Sequence, residues 1–599
     1  MKLSIRILAL IMALTLSIGI FVGCKNDTGV GDPVTTTGAP DVPAEPSEKI
    51  EITSDNISEY TIVTPSAPAP LLTQAVSAFK SAVSDAFGKE IASVTDAEAK
   101  VEKEIVIGLT SREDSVTLTG ELRKEESGII VKGESIYIVG FNDLYVEEAL
   151  VYFAENYINE ESKTITLARD LEFYKSPYFI KKVMIDGVDI KNYKIVIPQN
   201  ADILTEYAAD NFATYFATAG AGTISVVRDS TPETEYEILI GDTNRDASNV
   251  SVSMGEGEYV LYKSGNKIVC QGDDIWVGGG AGTIIGKLPS EGTGNVVNIT
   301  DIPSEPVAKK FEFKEAKNVV YMIGDGMGFN TVDMFKADKN AVFYAEYMTN
   351  KGNVYTGSWD TAKDPATPTD SAASGTALSS GYKTVNGYLG VTPGKNAMPN
   401  IRELAHMMGA NTAVLTTDAI TGATPSAFLI HHDARGDTSI IKSRIDELVK
   451  NKGVDVCEGS ITSLKKITVN TLKGISQNGA EFFIMIEEGH IDKRSHSNDR
   501  AGCVSMVERF NEAIAYAIEF TICHPDTVLI ITADHETGGI KKNPNGTFEY
   551  TVTTHSTQNV PIYALGYGTE CFNDKEIDNT EIPKFLSKIY GAVDFGVAK

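Results

Sequence analysis

KNVVYMIGDGMGFN, residues 317–330, is an apolar run of strand length that breaks into Gly324-Asp325-Gly326-Met327-Gly328. A run apolar on both faces reads as a strand buried inside an α/β sheet. An acid bracketed by glycines at the carboxyl end of such a strand stands where open α/β sheets place their ligands. Two further apolar runs repeat the pattern. AEFFIMIEEGHIDKRSH (480–496) runs out into Glu487, Asp492 and His496, and DTVLIITADHETGG (526–539) delivers Asp534 and His535. Asp492 and His496, four residues apart, share one face of a helical turn, a spacing suited to a metal ion.

Between these strands lie two other chemical segments. TPTDSAASGTALSSG (367–381) puts Thr369-Asp370-Ser371 directly before an Ala-rich helical run, which sets the Ser371 hydroxyl at a helix N-terminus. The dipole there favours an anion or an alkoxide. TGATPSAFLIHHDAR (421–435) carries Thr424 near its start and Arg435 at its end, and arginine suits a bidentate grip on phosphate. His555 follows alone in TVTTHSTQNVPIYALG. Each of these residues taken singly reads as a helix cap or a satisfied structural group. Together they are acids, histidines, a serine and an arginine converging from several strand ends.

The ordered set GDGMG, TDSAAS, ATP…R, E…D…H, TADH and a later lone His resembles the alkaline phosphatase family over roughly 315–590. The resemblance implies a doubly wound α/β catalytic domain that hydrolyses small phosphate monoesters with two zinc ions and one magnesium ion. One zinc falls to Asp492, His496 and His555. The other falls to Asp325, Asp534 and His535, with Ser371 joining it as the nucleophile. Magnesium falls to Asp325, Thr424 and Glu487, with Glu487 preferred to Glu488 by its spacing from Asp492. Arg435 and Lys493 are implied to bind the phosphate. Gly422 departs from the pattern, since relatives usually carry Asp or His there in support of the magnesium. A weak third site is therefore expected, unless Asp418 or Glu488 fills the gap. A phosphodiesterase on a similar bimetallic scaffold is the nearest alternative; a carbohydrate- or wall-binding surface protein with a decayed catalytic domain is another.

The N-terminal half contains a duplication. Tyr60-Thr-Ile-Val recurs as Tyr193-Lys-Ile-Val, and Ile107-Gly108 with Thr110-Ser-Arg112 recurs as Ile240-Gly241 with Thr243-Asn-Arg245, all at an offset of 133 residues. Two small α+β modules are expected, at 50–178 and 179–308, ahead of a catalytic domain at 309–599. Neither module holds a His, so spacer or interaction duty without catalysis is expected. The pair resembles the small α/β modules that precede catalytic domains in some carbohydrate-active enzymes, which implies carbohydrate or cell-wall polymer as the partner class.

The first residues, MKLSIRILALIMALTLSIGIFVGC (1–24), join two basic residues to an apolar run and small residues before Cys24. They read as a lipoprotein-type signal peptide, with Cys24 lipidated and 25–49 a Thr-, Pro- and Gly-rich tether. Export and a membrane anchor facing the outside follow from that reading. A homodimer is left open, since the stretch from Arg435 to Glu487 is short and its oligomeric habit can differ from the family's. The formal net charge of −28 repels phosphate backbones, so nucleic acid is excluded as the main partner. Five cysteines remain after Cys24, with no C-x-x-C pair to hold zinc.

Overall fold

A computed structural model describes residues 48–249, 251–289, 292–592 and 594–597. The expected signal peptide and the lipidation site Cys24 lie outside the described residues, as does the tether up to residue 47. Lys49 already pairs with Ala168, in a strand running Lys49–Thr53. No helix among the described residues is long and apolar enough to cross a membrane. The chain divides into two compact units: residues through Lys181 with Gly292–Val296, and Lys182–Glu291 with Val297 onward.

The first unit is built on strands β1 (Thr61–Thr64), β2 (Ala92–Thr95), β3 (Glu104–Ile107), β4 (Ser127–Lys132), β5 (Ser135–Gly140) and β6 (Glu172–Lys175). Their order is β2-β1-β3-β5-β4-β6, parallel from β2 to β5 and antiparallel thereafter. Helices α1 (Pro70–Phe87) and α2 (Asp143–Tyr157) bury Phe79, Val83, Leu150 and Phe153 on one face of this sheet.

The second unit opens with a sheet of β7 (Lys194–Ile197), β8 (Ser225–Arg228), β9 (Glu237–Ile240), β10 (Glu258–Ser264), β11 (Lys267–Gly272) and β12 (Ala308–Lys310). The order is β8-β7-β9-β11-β10-β12, with the same sequence of parallel and antiparallel pairings. Helices α3 (Ile203–Ala219) and α4 (Gly279–Gly286) accompany it.

The rest is an eight-stranded mixed sheet of β13 (Asn318–Gly324), β14 (Asn350–Tyr355), β15 (Asn411–Thr416), β16 (Val456–Glu458), β17 (Phe482–Glu488), β18 (Thr527–Thr532), β19 (Val560–Leu565) and β20 (Glu576–Asp578). The order is β16-β15-β17-β13-β18-β19-β14-β20. The run from β16 to β18 is parallel, and β19 is antiparallel to both of its neighbours. β13 and β17 are buried along their whole length, which explains their uninterrupted apolar runs. Helices α5 (Ser371–Ser380), α6 (Ile401–Met407), α7 (Ala423–Leu429), α8 (His490–His496) and α9 (Arg500–Cys523) connect and cover the strands.

Within the second unit, α3 and α4 pack on α9. A Cβ on Gly282 would stand 2.2 Å from the Ile522 carbonyl oxygen, and one on Gly278 2.4 Å from Glu519 Oε2. Only glycine allows so close an approach. Asp210 on α3 pairs with Lys473 at 2.9 Å, and Tyr207 meets Tyr516 edge to face. Removing 182–308 would therefore uncover the apolar face of α9. Cys270, Cys457, Cys503, Cys523 and Cys571 are all free thiols.

Candidate metal and phosphate site

The carboxyl ends of β13, β17 and β18 stand side by side, because β13 pairs with β17 on one edge and β18 on the other. Asp325, Glu487 and Asp534 therefore leave adjacent strands at one level of the sheet. His535 follows at once. Thr537 then pairs with His555, which brings that distant histidine back to the same edge.

Two donor groups result. Asp325, Asp534 and His535 form one, fully buried or nearly so. His535 Nε2 lies 3.7 Å from Asp325 Oδ1 and 3.2 Å from Asp534 Oδ2. Asp492, His496 and His555 form the other. His496 Nε2 is 3.2 Å from Asp492 Oδ1, His555 Nε2 is 3.5 Å from that oxygen, and the two ring nitrogens are 3.2 Å apart. His535 also belongs to a close group with Asp492 and His555. Ser371 Oγ stands 3.2 Å from His535 Nε2.

The spare ring nitrogens are held by backbone. His496 Nδ1 donates to the Thr553 carbonyl at 2.7 Å, and His555 Nδ1 to that of Thr369 at 2.8 Å. Each leaves its Nε2 facing the cluster, the orientation expected of a metal-ligating imidazole. Thr537 was not singled out in the sequence. Its hydroxyl donates to Asp492 Oδ1 at 2.6 Å and lies 3.2 Å from His535 Nδ1, so it orients one residue of each group. The signal was there: a hydroxyl two positions beyond His535, on the same face of a short strand.

Charge makes the case for a cation. Asp325 Oδ1 and Asp534 Oδ2 are buried without a hydrogen-bond partner. Burial, then the neighbouring Asp534 and Asp492, hold the Asp325 carboxyl far above the usual range. Burial and Asp492 push Asp534 up to about 6. Glu487 rises to about 8, since burial outweighs the hydrogen bond from Thr416. Asp492 instead falls, because bonds from His496 and His555 overcome its burial, and His496 rises to about 9 in return. Buried acids crowded in this way stay charged only with positive charge among them. Carboxylate and imidazole donors in groups of three suit zinc, and the oxygen-only pair of Glu487 and Thr424 suits magnesium. Thr424 Oγ1 is buried and makes no well-formed hydrogen bond, although it lies close enough to Glu487 to ease that carboxylate's charge.

Glu488, one residue on, is fully engaged. Arg509 donates to both of its oxygens at 2.5 and 2.6 Å, and Thr417 donates at 2.9 Å. Gly422 caps α7, and a Cβ added there would stand 2.9 Å from Asp418 Oδ2. Asp418 thus occupies the room a side chain at 422 would take. Its other oxygen binds Lys493.

Ser371 opens α5, whose N-cap Asp370 accepts from Ala373 N at 2.9 Å through Oδ1. Asp370 Oδ2 accepts from Arg435 Nη1 at 3.0 Å. The Arg435 charge is one of the smaller influences that lower the proton affinity of His496 and His535.

A family model described as alkaline phosphatase matches residues 316–461 and 448–553. This region belongs to the alkaline phosphatase family. Alkaline phosphatase 4 of Bacillus subtilis (strain 168) is 31% identical over 301 residues, covering 40% of this chain and 65% of that protein. Alkaline phosphatase 3 of the same organism is 26% identical, covering 46% and 72%. The chain thus spans about two thirds of the length of these relatives. Among solved structures, the alkaline phosphatase from the Antarctic bacterium TAB5 is 26% identical, covering 46% of this chain and 99% of that one with a TM-score of 0.42. The matched part of the alkaline phosphatase region holds Asp325, Ser371, Thr424, Arg435, Glu487, Asp492, Lys493, His496, Asp534 and His535; His555 follows two residues beyond it.

Proposed function

We propose that this chain hydrolyses phosphate monoesters through a phosphoserine intermediate on Ser371, with two zinc ions and one magnesium ion as resident cofactors. The observation that carries the reading is the Ser371 hydroxyl, 3.2 Å from His535 Nε2, at the rim of buried carboxylates with unpaired oxygens. Asp492, His496 and His555 would hold one zinc; Asp325, Asp534 and His535 the other; and Asp325, Thr424 and Glu487 the magnesium. When bound, such ions lower the proton affinity of a serine hydroxyl and take up charge on a leaving oxygen.

The chain's own groups do the rest. The N-terminus of α5 favours Ser371 as alkoxide. Its proton passes to solvent as Oγ forms a bond to phosphorus and the ester P–O bond breaks, and the departing oxygen takes a proton from water. A water oxygen then attacks phosphorus opposite Oγ, the P–Oγ bond breaks, Ser371 regains its proton, and inorganic phosphate leaves. Arg435, steadied by Asp370, donates to the non-bridging oxygens, and Lys493, held by Asp418, is the second cation for them. Thr537 and the carbonyls of Thr369 and Thr553 keep the imidazoles in register.

Asp418 takes over the support that Gly422 lacks. One oxygen holds Lys493, and the other faces the space above Gly422, near Glu487. The two six-stranded sheets are copies of one module, supported by their common strand order and by the matched ion pairs Glu104–Arg112 and Glu237–Arg245. Cys24 is a lipid anchor that holds the exported enzyme at the outer face of a membrane.

Initial rates on an aryl phosphate monoester and the matching diester, with and without zinc, test the reading. The monoester should be the faster substrate and should depend on zinc, because Arg435 and the magnesium donors offset its extra negative charge. A faster diester would favour the phosphodiesterase, and no turnover of either would favour the binding protein.

A further inference from the structure

Beyond α7 the chain runs antiparallel to residues 387–390. Leu389 and His432 exchange two backbone hydrogen bonds of 2.8 Å, and Arg435 N donates to the Gly387 carbonyl at 2.8 Å. Gly387 N in turn donates to Asp370 Oδ2 at 3.0 Å, the oxygen that also receives Arg435. A short ladder therefore ties Arg435 to the helix that presents Ser371.

His431 closes the far end of this ladder. Its Nε2 lies 2.9 Å from Glu403 Oε1, and its Nδ1 lies 2.8 Å from the Gly390 carbonyl oxygen. Both partners are acceptors only. A neutral imidazole has one N–H and can satisfy one of them; satisfying both requires the imidazolium. The fit is close: Gly390 has φ of +59°, and a Cβ there would stand 2.6 Å from His431 Nδ1.

Glu403 is fixed in turn, its second oxygen accepting from Asn400 N at 3.0 Å at the start of α6. The other charges facing the ring are few. Arg402, also on α6, lies 3.5 Å from Glu403 Oε1 and donates to the carbonyls of Phe428 and Gly453. Arg444, on the helix Thr438–Lys450, donates to the His431 carbonyl. Burial and Arg402 work against the ring's charge, but Glu403 and Gly390 outweigh them and raise its proton affinity above the ordinary value.

We propose that His431, held as an imidazolium between Glu403 and the Gly390 carbonyl, is a positioning residue that sets Arg435 for phosphate, so that loss of its proton weakens substrate binding. The inference rests on Arg435 being the phosphate clamp. A neutral ring would turn a lone pair toward one of two acceptors, and that repulsion would open the ladder at its Gly390 end and loosen the segment that carries Arg435. The result is a rise of KM with pH while kcat holds, since no reacting atom is moved.

The test uses the full-length, metal-loaded protein with nitrogen-15 histidine. NMR follows the His431 ring, and KM, kcat and the Kd of inorganic phosphate are measured across the same pH range. In the wild type both ring nitrogens should carry protons at neutral pH, and KM and the phosphate Kd should rise as the ring titrates. Glu403→Gln should move the ring titration and the rise in KM together to lower pH, by about 1–3 pH units, the usual effect of losing a neighbouring carboxylate. A bare ring nitrogen at neutral pH overturns the proposal, as does a KM profile that ignores the ring titration in the wild type, whatever the variant does. A wild type that binds no phosphate at any pH defeats the functional reading and the proposal together. A wild type that binds phosphate, with a profile unmoved in a folded Glu403→Gln, defeats the proposal alone.

Discussion

The two halves of the molecule bury carboxylates in opposite ways. In the N-terminal sheets the acids at β3 and β9 are matched: Glu104 meets Arg112 at 2.9 Å, and Glu237 meets Arg245 at 3.1 Å. Glu126 is gripped by Arg123, Lys181 and Ser176, which overcome its burial and draw its carboxyl down to about 2. At the carboxyl ends of β13, β17 and β18 the acids face one another, unmatched oxygens remain, and three carboxyls are driven up. A buried acid with its cation built into the chain is architecture; a group of them without one is a socket. Glu519 marks the limit of the rule. It is buried with both oxygens unpaired beside Gly278, and burial, then the charge of Asp202, raises its carboxyl well above the usual range, but it belongs to no three-donor group among the described residues.

The largest expected effect separates chemistry from frame. Ser371→Ala should cost on the order of 10³-fold or more in turnover, with metal content unchanged, since only the attacking group is deleted. Rates on an aryl phosphate and acid-quenched labelling with phosphate check it; label on any other residue breaks the assignment.

Metal removal comes next, and its pH dependence sharpens the contrast. Without cations the folded protein holds protons on Glu487, near 8, and on Asp534, near 6, that an unfolded chain releases near 4. Groups raised in this way contribute stability at low pH and lose it as pH climbs through the folded values. Chelated protein should therefore lose thermal stability from about pH 4 to pH 8. The rise in Tm on adding zinc should be larger at pH 8 than at pH 5. Calorimetry at the two pH values decides; an equal gain at both would mean the socket is not what binds.

The matched acids should behave in the reverse sense. Arg112→Met strands Glu104 and should cost about 3–5 kcal/mol of stability in its unit. Turnover should stay unchanged, since no residue of that unit belongs to the donor groups. Glu126 has a depressed carboxyl, so its stabilisation is present above about pH 4.5 and is lost as pH falls toward 2. Glu126→Gln should therefore lower Tm at pH 7 and close on the wild type only as pH falls to about 2. Differential scanning calorimetry reads both variants.

The smallest effect concerns the third ion. Asp418→Ala should weaken magnesium binding by about 10–100-fold, the usual cost of an outer-shell loss. Gly422→Asp alone should help little, because Asp418 Oδ2 and the Ala419 carbonyl would both stand 2.9 Å from the new Cβ. Joined to Asp418→Ala, the same substitution should restore affinity. Isothermal titration of zinc-loaded protein with magnesium tests the swap; additive effects would show that the two positions do not share one space.

Much of the site was legible in the sequence because its residues sit at strand ends. An apolar run that stops at an acid announces both the strand and the residue it delivers, as at Asp325, Glu487 and Asp534. The offset of 133 residues between Arg112 and Arg245 was visible too, but not their partners Glu104 and Glu237, since an ion pair leaves no local pattern in a strand. Thr537 was hidden for a related reason: it acts on Asp492, far away along the chain. Asp418 was named beside Glu488 for the gap at Gly422, and only contacts across the fold set the two apart. By itself, then, the sequence determined the strands, the acids and histidines at their ends, and the serine at a helix start. These depend on local periodicity and capping. The tertiary structure alone decided which carboxylates lack a cation, which side chain fills the space above Gly422, and that His431 stands between two acceptors. These depend on what lies within about 3 Å across the fold, the reach of a hydrogen bond, and no spacing along the chain encodes it.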